Sequence, residues 1–265
     1  MKQKDYSMFS WETLRQEAEE VAEKEPLLKN LLRQMVTEHS SFGSALTAVL
    51  ANRCLFIHEG INLHQAITEA LKKDENIAQI AMYDLAAVVD KDPATESYLE
   101  PFLFYKGYHS LELHRIAHKL WTDGQRYLAS YIQSRTSHLY GVDIHPAARI
   151  GRGIFIDHAT GLVVGETAVI EDNVSILHGV TLGGTGKETG KRHPTIRKNC
   201  LLGAGSTVLG NIVVGEGSVI GAGSVVLHTV PAHSIAAGVP ATNKGNIAIP
   251  EPADSMDQIF DDYMI

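Results

Sequence analysis

Two cysteines, Cys54 and Cys200, are all that the 265 residues contain. That is too few for a disulfide framework, and their separation fits no metal-binding spacing. A reducing compartment is the expectation. Positive charge is also scarce: 23 Lys and Arg stand against 31 Asp and Glu, a formal net charge of −8. This argues against nucleic acid or an anionic membrane as a partner for the whole surface. Any anion must then be held by a local basic patch. Long apolar runs are missing too. Met1 to Trp11 is polar and carries no apolar signal core, and no stretch is long enough to span a bilayer. A cytoplasmic protein is expected. What remains, 44% hydrophobic and 20% charged, is the composition of a globular chain with room for two domains.

The chain is rich in a six-residue beat. An aliphatic or small residue returns at Ile144, Ile150, Ile156, Leu162, Ala168, Val174 and Val180, and again at Ile196, Leu202, Val208, Val214, Ile220 and Val226. Self-similarity at this period predicts a parallel β-helix. Each hexad supplies a short strand and a turn, and three hexads make one triangular coil. The beat residue points inward, because a coil buries its apolar interior only by stacking on its neighbours. Residues 1–140 carry helical periodicity instead. Ser10 can cap a first helix, Pro26 suits the start of a second, and Asn62 with Gln65 resembles a capping box. Asp90-Lys91-Asp92-Pro93 should end a helix, since the residue before proline avoids that conformation. A helical domain over 1–140 is therefore expected, then a β-helix over 141–242, then an acidic, flexible tail over 243–265.

From Val180 to Ile196 the beat is interrupted, and about ten extra residues must leave the prism wall as a loop. The loop holds four glycines with Lys187, Lys191, Arg192 and His193, and Arg197 and Lys198 follow. It is either a solvated insertion or a functional loop. Three histidines, His145, His158 and His193, stand near the interruption. At about 18 residues per coil, Asp143 and His158 fall on successive coils near one corner. A carboxylate there would set the tautomer of His158 and stabilise its protonated form. Without a nucleophile elbow or a nearby cysteine, His158 would activate a hydroxyl or amine of the substrate. The competing reading of such a histidine is a satisfied structural contact. Zinc is a third use, through His145, His158, His178 and His193, although their spacing makes no local ligand motif.

The stretches Val142-Asp143-Ile144-His145-Pro146, Ile156-Asp157-His158-Ala159-Thr160-Gly161, Val164-Gly165-Glu166-Thr167 and Val180-Thr181-Leu182-Gly183-Gly184-Thr185-Gly186 together resemble bacterial serine O-acetyltransferase of the hexapeptide-repeat acyltransferase superfamily. So do Arg192-His193-Pro194, Gly203-Ala204-Gly205, Gly221-Ala222-Gly223 and Ala236-Ala237-Gly238-Val239-Pro240. In the helical half the likeness covers Gly43-Ser44-Ala45-Leu46 and Lys91-Asp92-Pro93-Ala94.

The resemblance implies an α+β fold in which the β-helix is left-handed. It implies acetyl transfer from acetyl-CoA to the hydroxyl of L-serine, the first step of cysteine synthesis, inhibited by L-cysteine and needing no metal. In that reading His158 is the general base, Asp143 orients it, and His193 contacts the substrate near the reacting centre. Arg192 holds the serine carboxylate, and Asp92 and Asp157 hold its ammonium. Gly184, Thr185, Ala204 and Ala222 line the CoA groove between neighbouring prisms. The family forms trimers through its β-helices, and the helical domains join two trimers into a hexamer. Its C-terminal isoleucine, here Ile265, enters O-acetylserine sulfhydrylase. The rivals are a hexapeptide acetyltransferase for a sugar or antibiotic hydroxyl, a non-catalytic β-helix scaffold, and a zinc-dependent hydratase.

Overall fold

The computed structural model describes residues 9–54, 61–186, 189–247 and 251–257. Lys187 of the basic loop and Ile265, the expected partner-binding residue, lie outside the described residues. Helix α1 (Trp11–Lys24) starts at Ser10, whose hydroxyl accepts the Thr13 N–H at 3.1 Å, and it buries Leu14 and Ala18. Pro26 opens a 3-10 turn, Pro26–Leu28, that runs into the short α2 (Lys29–Leu32) and a π turn, Arg33–Thr37. Helices α3 (Phe42–Cys54) and α4 (Leu63–Lys73) follow. Asn62 caps α4 through the Gln65 N–H at 3.0 Å, but the Gln65 side chain turns to Glu69, so the capping box is only half formed.

Helix α5 (Asn76–Lys91) stops ahead of Pro93 with Asp92 extended. Periodicity does not announce α6 (Leu99–Phe104), which is too short to show a stripe; Pro101 is tolerated in its first turn, where an N–H would be unpaired anyway. Helix α7 (Lys106–Thr122) ends at Gly124, and α8 (Arg126–Tyr140) ends at the left-handed Gly141.

The first coil of a left-handed parallel β-helix then forms from β1 (Asp143–Ile144), β2 (Arg149–Ile150) and β3 (Phe155–Ile156). It continues through β4 (Val163–Val164), β5 (Val169–Ile170), β6 (Ser175–Ile176), β7 (Thr181–Gly183), β8 (Thr195–Ile196) and β9 (Leu201–Leu202). Strands β10 (Thr207–Leu209), β11 (Val213–Val214), β12 (Val219–Ile220) and β13 (Val225–Val226) complete the walls. Wall 1 is β1-β4-β7-β10-β13, wall 2 is β2-β5-β8-β11, and wall 3 is β3-β6-β9-β12. Wall 3 gains β14 (Ser234–Gly238), on which β15 (Ala241–Asn246) folds back antiparallel.

The register corrects the phase of the beat. Ile144 lies opposite Val164, twenty residues on, whereas Val164 lies opposite Leu182, eighteen on. Two extra residues therefore enter the turn after Ile156. Beyond it the inward strand residues are Val164, Ile170, Ile176 and Leu182 rather than Leu162, Ala168, Val174 and Val180. The latter four also point inward, two residues earlier, and none is more than 1% exposed; a pattern of buried positions cannot tell the two apart. The ejected loop then falls between Leu182 and Ile196, eight residues longer than a hexad, not ten.

The helical domain caps the open end of the prism. Arg115 donates through Nε to Asp84 at 2.9 Å and through its Nη atoms to the carbonyls of Ile150 and Gly151 at 3.3 and 2.7 Å. Asp84 accepts the Ile154 N–H at 3.0 Å, and Lys91 donates to the Gly153 carbonyl at 2.9 Å. Glu112 lies 3.6 Å from Arg115, fully buried. One guanidinium thus serves two carboxyls. Burial and the neighbouring Asp84 raise the Glu112 carboxyl well above the usual range, so Glu112, the farther of the two, keeps the proton.

The tail corrects the expectation of a flexible segment over its described parts. Residues 241–246 form β15, and α9 (Pro252–Ser255) sits against wall 3, where the Ser175 hydroxyl donates to the Ala253 carbonyl at 2.6 Å. Leu177, Leu201 and Val219 of wall 3 offer the apolar surface that Ile247 and Met256 cover. No described helix is long and apolar enough to cross a membrane.

Two buried histidines predict an acid-sensitive core. Burial lowers His109 from 6.5 to about 4 and lowers His114 as well. Both rings are neutral when folded and take up protons when unfolded. Their stabilising effect is complete above about pH 6.5 and is lost as pH falls through the folded values. Thermal melts from pH 7 to 4 should show a smaller loss of Tm in His109→Gln than in the wild type. Equal losses would contradict this assignment.

Candidate active site

Two clusters of polar side chains form, on two edges of the prism. The first lies between walls 3 and 1, where the first turn of α7 meets β3. Gly107 permits that contact, since a Cβ there would fall 2.0 Å from the Ile156 carbonyl oxygen. A cavity of about 630 Å³ at this junction is lined by residues including Asp92, Tyr105, Lys106, Asp157, His158 and Met256. The two extra residues of the first coil make the turn that carries His158. Both His158 and Ala159 are left-handed, with φ of 54° and 55°; outside glycine this costs roughly 1–2 kcal/mol per residue. The turn is tied down on three sides. Gly161 N–H donates to Gly141 at 2.7 Å, Gly179 N–H donates to Thr160 at 2.9 Å, and the Lys106 ammonium reaches the Thr160 hydroxyl.

The His158 side chain is 78% exposed, with Nε2 3.9 Å from a carboxylate oxygen of Asp157. His178, one coil further on, stands edge to face with it at 6.1 Å. Burial raises the Asp157 carboxyl, and so does Asp92 across the cavity, against the pull of His158 and His178. The structure thus brings Asp92, Asp157 and His158 together.

The second cluster lies between walls 1 and 2 and holds His145, Glu166, Thr167, Arg192 and His193. His193 is buried, its Nδ1 3.2 Å from the Thr167 N and 2.9 Å from the Thr167 hydroxyl. A backbone N–H can only donate, so Nδ1 is the acceptor and the ring proton sits on Nε2. Burial first, then Arg192 and Lys191, lower this ring against the opposing effect of Glu166. It is therefore a neutral donor. Arg192 pairs with Glu166. Gly165 leaves room for the imidazole: a Cβ there would fall 2.0 Å from two of its ring atoms.

The remaining expected residues divide between the edges. Ala204 and Ala222 continue the first edge below His178: Gly205 N–H donates to His178 and Gly223 N–H to Ala204, each at 2.8 Å. Gly184 packs near Arg192 and His193 on the second edge, and Thr185 follows it. Asp143 stands on wall 1 and accepts a hydrogen bond from Gln133 at 2.6 Å rather than from His158. The turn in the first coil is longer than 18 residues per coil assumes, and the pairing expected from that spacing is absent from the single chain. The described cations of the loop and of the strand after it are held by partners within the chain. The Lys191 ammonium donates to the carbonyls of Thr167 and His193, each at 2.6 Å, while Arg197 pairs with Glu171 and Lys198 with Glu216. A larger open groove of about 700 Å³ runs along wall 2 beside Arg149, Lys191, Arg197 and Lys198. Burial pushes the Cys200 thiol up to about 12, so it is no nucleophile. Among the described residues no group of three or more His, Cys, Asp or Glu side chains is placed to hold a metal ion. Sequence reasoning singles out neither Thr167, Tyr105 nor Lys106; only Thr167, three residues into a quoted motif, left any signal.

A prism of hexapeptide coils with polar clusters on its edges defines a hexapeptide-repeat transferase. The family model for the bacterial transferase hexapeptide (six repeats) matches residues 193–228, and that for the serine acetyltransferase N-terminal domain matches residues 10–113. The serine acetyltransferase of Salmonella typhimurium is 49% identical over 251 residues, covering 94% of this chain and 92% of that protein. A solved serine acetyltransferase of Brucella abortus in complex with coenzyme A superposes with a TM-score of 0.87 at 45% identity, covering 92% of this chain and 99% of that one. Another, in complex with cysteine, superposes at 0.91 with 48% identity, covering 94% and 98%. The chain belongs to the serine acetyltransferase family and is an acyltransferase.

Gly165→Ala should displace the His193 imidazole without disturbing the walls. Its kcat should fall on the order of 10²-fold, the effect of about 1 Å of misplacement, while the circular dichroism spectrum stays unchanged. Wild-type kcat would refute this placement.

Proposed function

We propose that the protein transfers the acetyl group of acetyl-CoA to the hydroxyl of L-serine, giving O-acetyl-L-serine and CoA in the first step of cysteine synthesis. The observation that carries this reading is the cavity shared by Asp92, Asp157 and His158, which offers two carboxyls for an ammonium beside an open imidazole. His158 takes the hydroxyl proton as the serine oxygen attacks the thioester carbonyl carbon. The C–S bond then breaks, and the proton passes to the departing CoA sulfur. Arg192 holds the serine carboxylate through its planar guanidinium, exchanging its Glu166 partner for the substrate. The neutral His193, with its proton on Nε2, donates toward the reacting centre. Asp143 orients His158 in the assembled enzyme.

The geometry supports a composite site. His158, Ala204 and Ala222 run down one edge of the prism, while Gly184, Thr185, Arg192 and His193 cluster on the next, with the width of wall 1 between them. One chain cannot close both clusters around one substrate. The edge between walls 3 and 1 of one prism facing the edge between walls 1 and 2 of its neighbour would, which favours a homotrimer with acetyl-CoA in the groove between prisms. The helical domains over 1–140 then join two trimers. L-cysteine, bound by a similar relative, differs from serine by one atom and occupies the same site as a feedback inhibitor. The tail through Ile265 binds O-acetylserine sulfhydrylase, and the enzyme works in the cytoplasm.

CoA thiol release from acetyl-CoA should require L-serine and fall by about 10²–10⁴-fold in His158→Ala. Coexpressing His158→Ala with His193→Ala should restore activity, because each mixed trimer carries one intact site. Release with other acceptors but not serine would move the function to another hydroxyl. Inactive mixtures of active-chain yield and size would refute the composite site. Excess L-cysteine should suppress the wild-type rate competitively with serine, and removing Ile265 should abolish sulfhydrylase binding; unchanged rate or binding would reject each.

A further inference from the structure

We propose that Thr95 and Tyr105 form a hydroxyl relay that positions the Asp92 carboxylate for the amino group of the acceptor. The proposal rests on the reading that Asp92 binds the serine ammonium. Both carboxylate oxygens are engaged from behind. Oδ1 accepts the Ala94 N–H at 2.9 Å, and Oδ2 accepts the Thr95 hydroxyl at 2.8 Å. The Thr95 hydroxyl has one proton and gives it to the carboxylate, which can only accept, so the Tyr105 hydroxyl at 2.8 Å donates to Thr95. The relay therefore runs in one direction, from Tyr105 through Thr95 to Asp92. Burial raises the Tyr105 phenol above its ordinary value, and the carboxylates of Glu100, Asp92 and Asp157 add to this against the lowering effect of the Thr95 hydrogen bond, so it stays a donor.

The placement of the three residues favours this role. Asp92 is the extended residue that ends α5, and nothing in regular structure fixes its side chain. Thr95 is only 6% exposed, in the turn behind it. Tyr105 is the single residue between α6 and α7, and it lines the same cavity as Asp92 and Asp157. A carboxylate held by one donor on each oxygen still has a lone pair on each for the three donors of an ammonium. Chained hydrogen bonds polarise one another, so loss of either hydroxyl should loosen the whole relay.

The test is steady-state CoA release in Asp92→Asn, Tyr105→Phe, Thr95→Val and the double variant, with L-serine and with 3-hydroxypropionate, which lacks the amino group. We expect Tyr105→Phe and Thr95→Val each to raise the serine KM on the order of tenfold. The KM for acetyl-CoA and the low rate with 3-hydroxypropionate should not move. The double variant should be no worse than the poorer single one, since the two hydroxyls act in series. Thr95→Ser should restore serine KM, which separates the hydroxyl from the packing of Thr95. Additive losses, or losses shared by 3-hydroxypropionate, would overturn the relay. A raised serine KM in Asp92→Asn alone would overturn it and leave the role of Asp92 standing. An unchanged serine KM in Asp92→Asn would defeat that role and the relay with it.

Discussion

A β-helix has an end, and the end exposes backbone groups that no further coil will pair. Here Arg115, Asp84 and Lys91, buried on α5 and α7, satisfy the polar groups of residues 150–154. His118 adds a hydrogen bond to the Pro146 carbonyl at 2.7 Å. The rest of the molecule depends on this joint. Charges buried without partners are among the most costly features a fold can carry, so the two domains can meet in essentially one orientation. That orientation presses the first turn of α7 against Ile156 and brings Asp92, from the end of α5, across to Asp157 and His158. The cavity is a product of the docking, and neither domain contains it alone.

Both candidate clusters sit where the hexad is violated. Two extra residues make the turn that holds His158 and Ala159 in left-handed backbone, and eight more make the loop that carries Arg192 and His193. Regular coils bury side chains on the inside and offer short, shallow turns outside. A departure from the period frees backbone to project a side chain beyond the wall, and the strain is held by neighbours: stacked glycines at Gly141, Gly161 and Gly179 in one case, and the Lys191 ammonium gripping three carbonyls in the other. Departures of this kind from local regularity are where function is expected to concentrate.

Much of this was legible from residues in order. The six-residue beat predicted the prism, and Ser10, Pro26 and Pro93 marked helix ends. The larger interruption was visible because it breaks the period outright. The smaller one was hidden, because Leu162, Ala168, Val174 and Val180 are buried as deeply as the strand residues two positions later, and a hydrophobic pattern records burial rather than register. Helix α6 was too short to leave a pattern. The tail read as acidic and weakly apolar, and nothing local in it announces that wall 3 offers Leu177, Leu201 and Val219 as a surface for Ile247 and Met256.

By itself the sequence determined the periods, the change from helical to sixfold repetition near Tyr140, and the residue types available for acid–base work, because each depends on neighbours within a turn or a coil. Only the tertiary structure decided which of those residues meet. Asp92 and His158 are brought together by the docking of two domains, Asp143 is turned to Gln133, and His158 and His193 are held on separate edges of the prism. Such distances depend on contacts between segments far apart in the chain, and no local spacing encodes them.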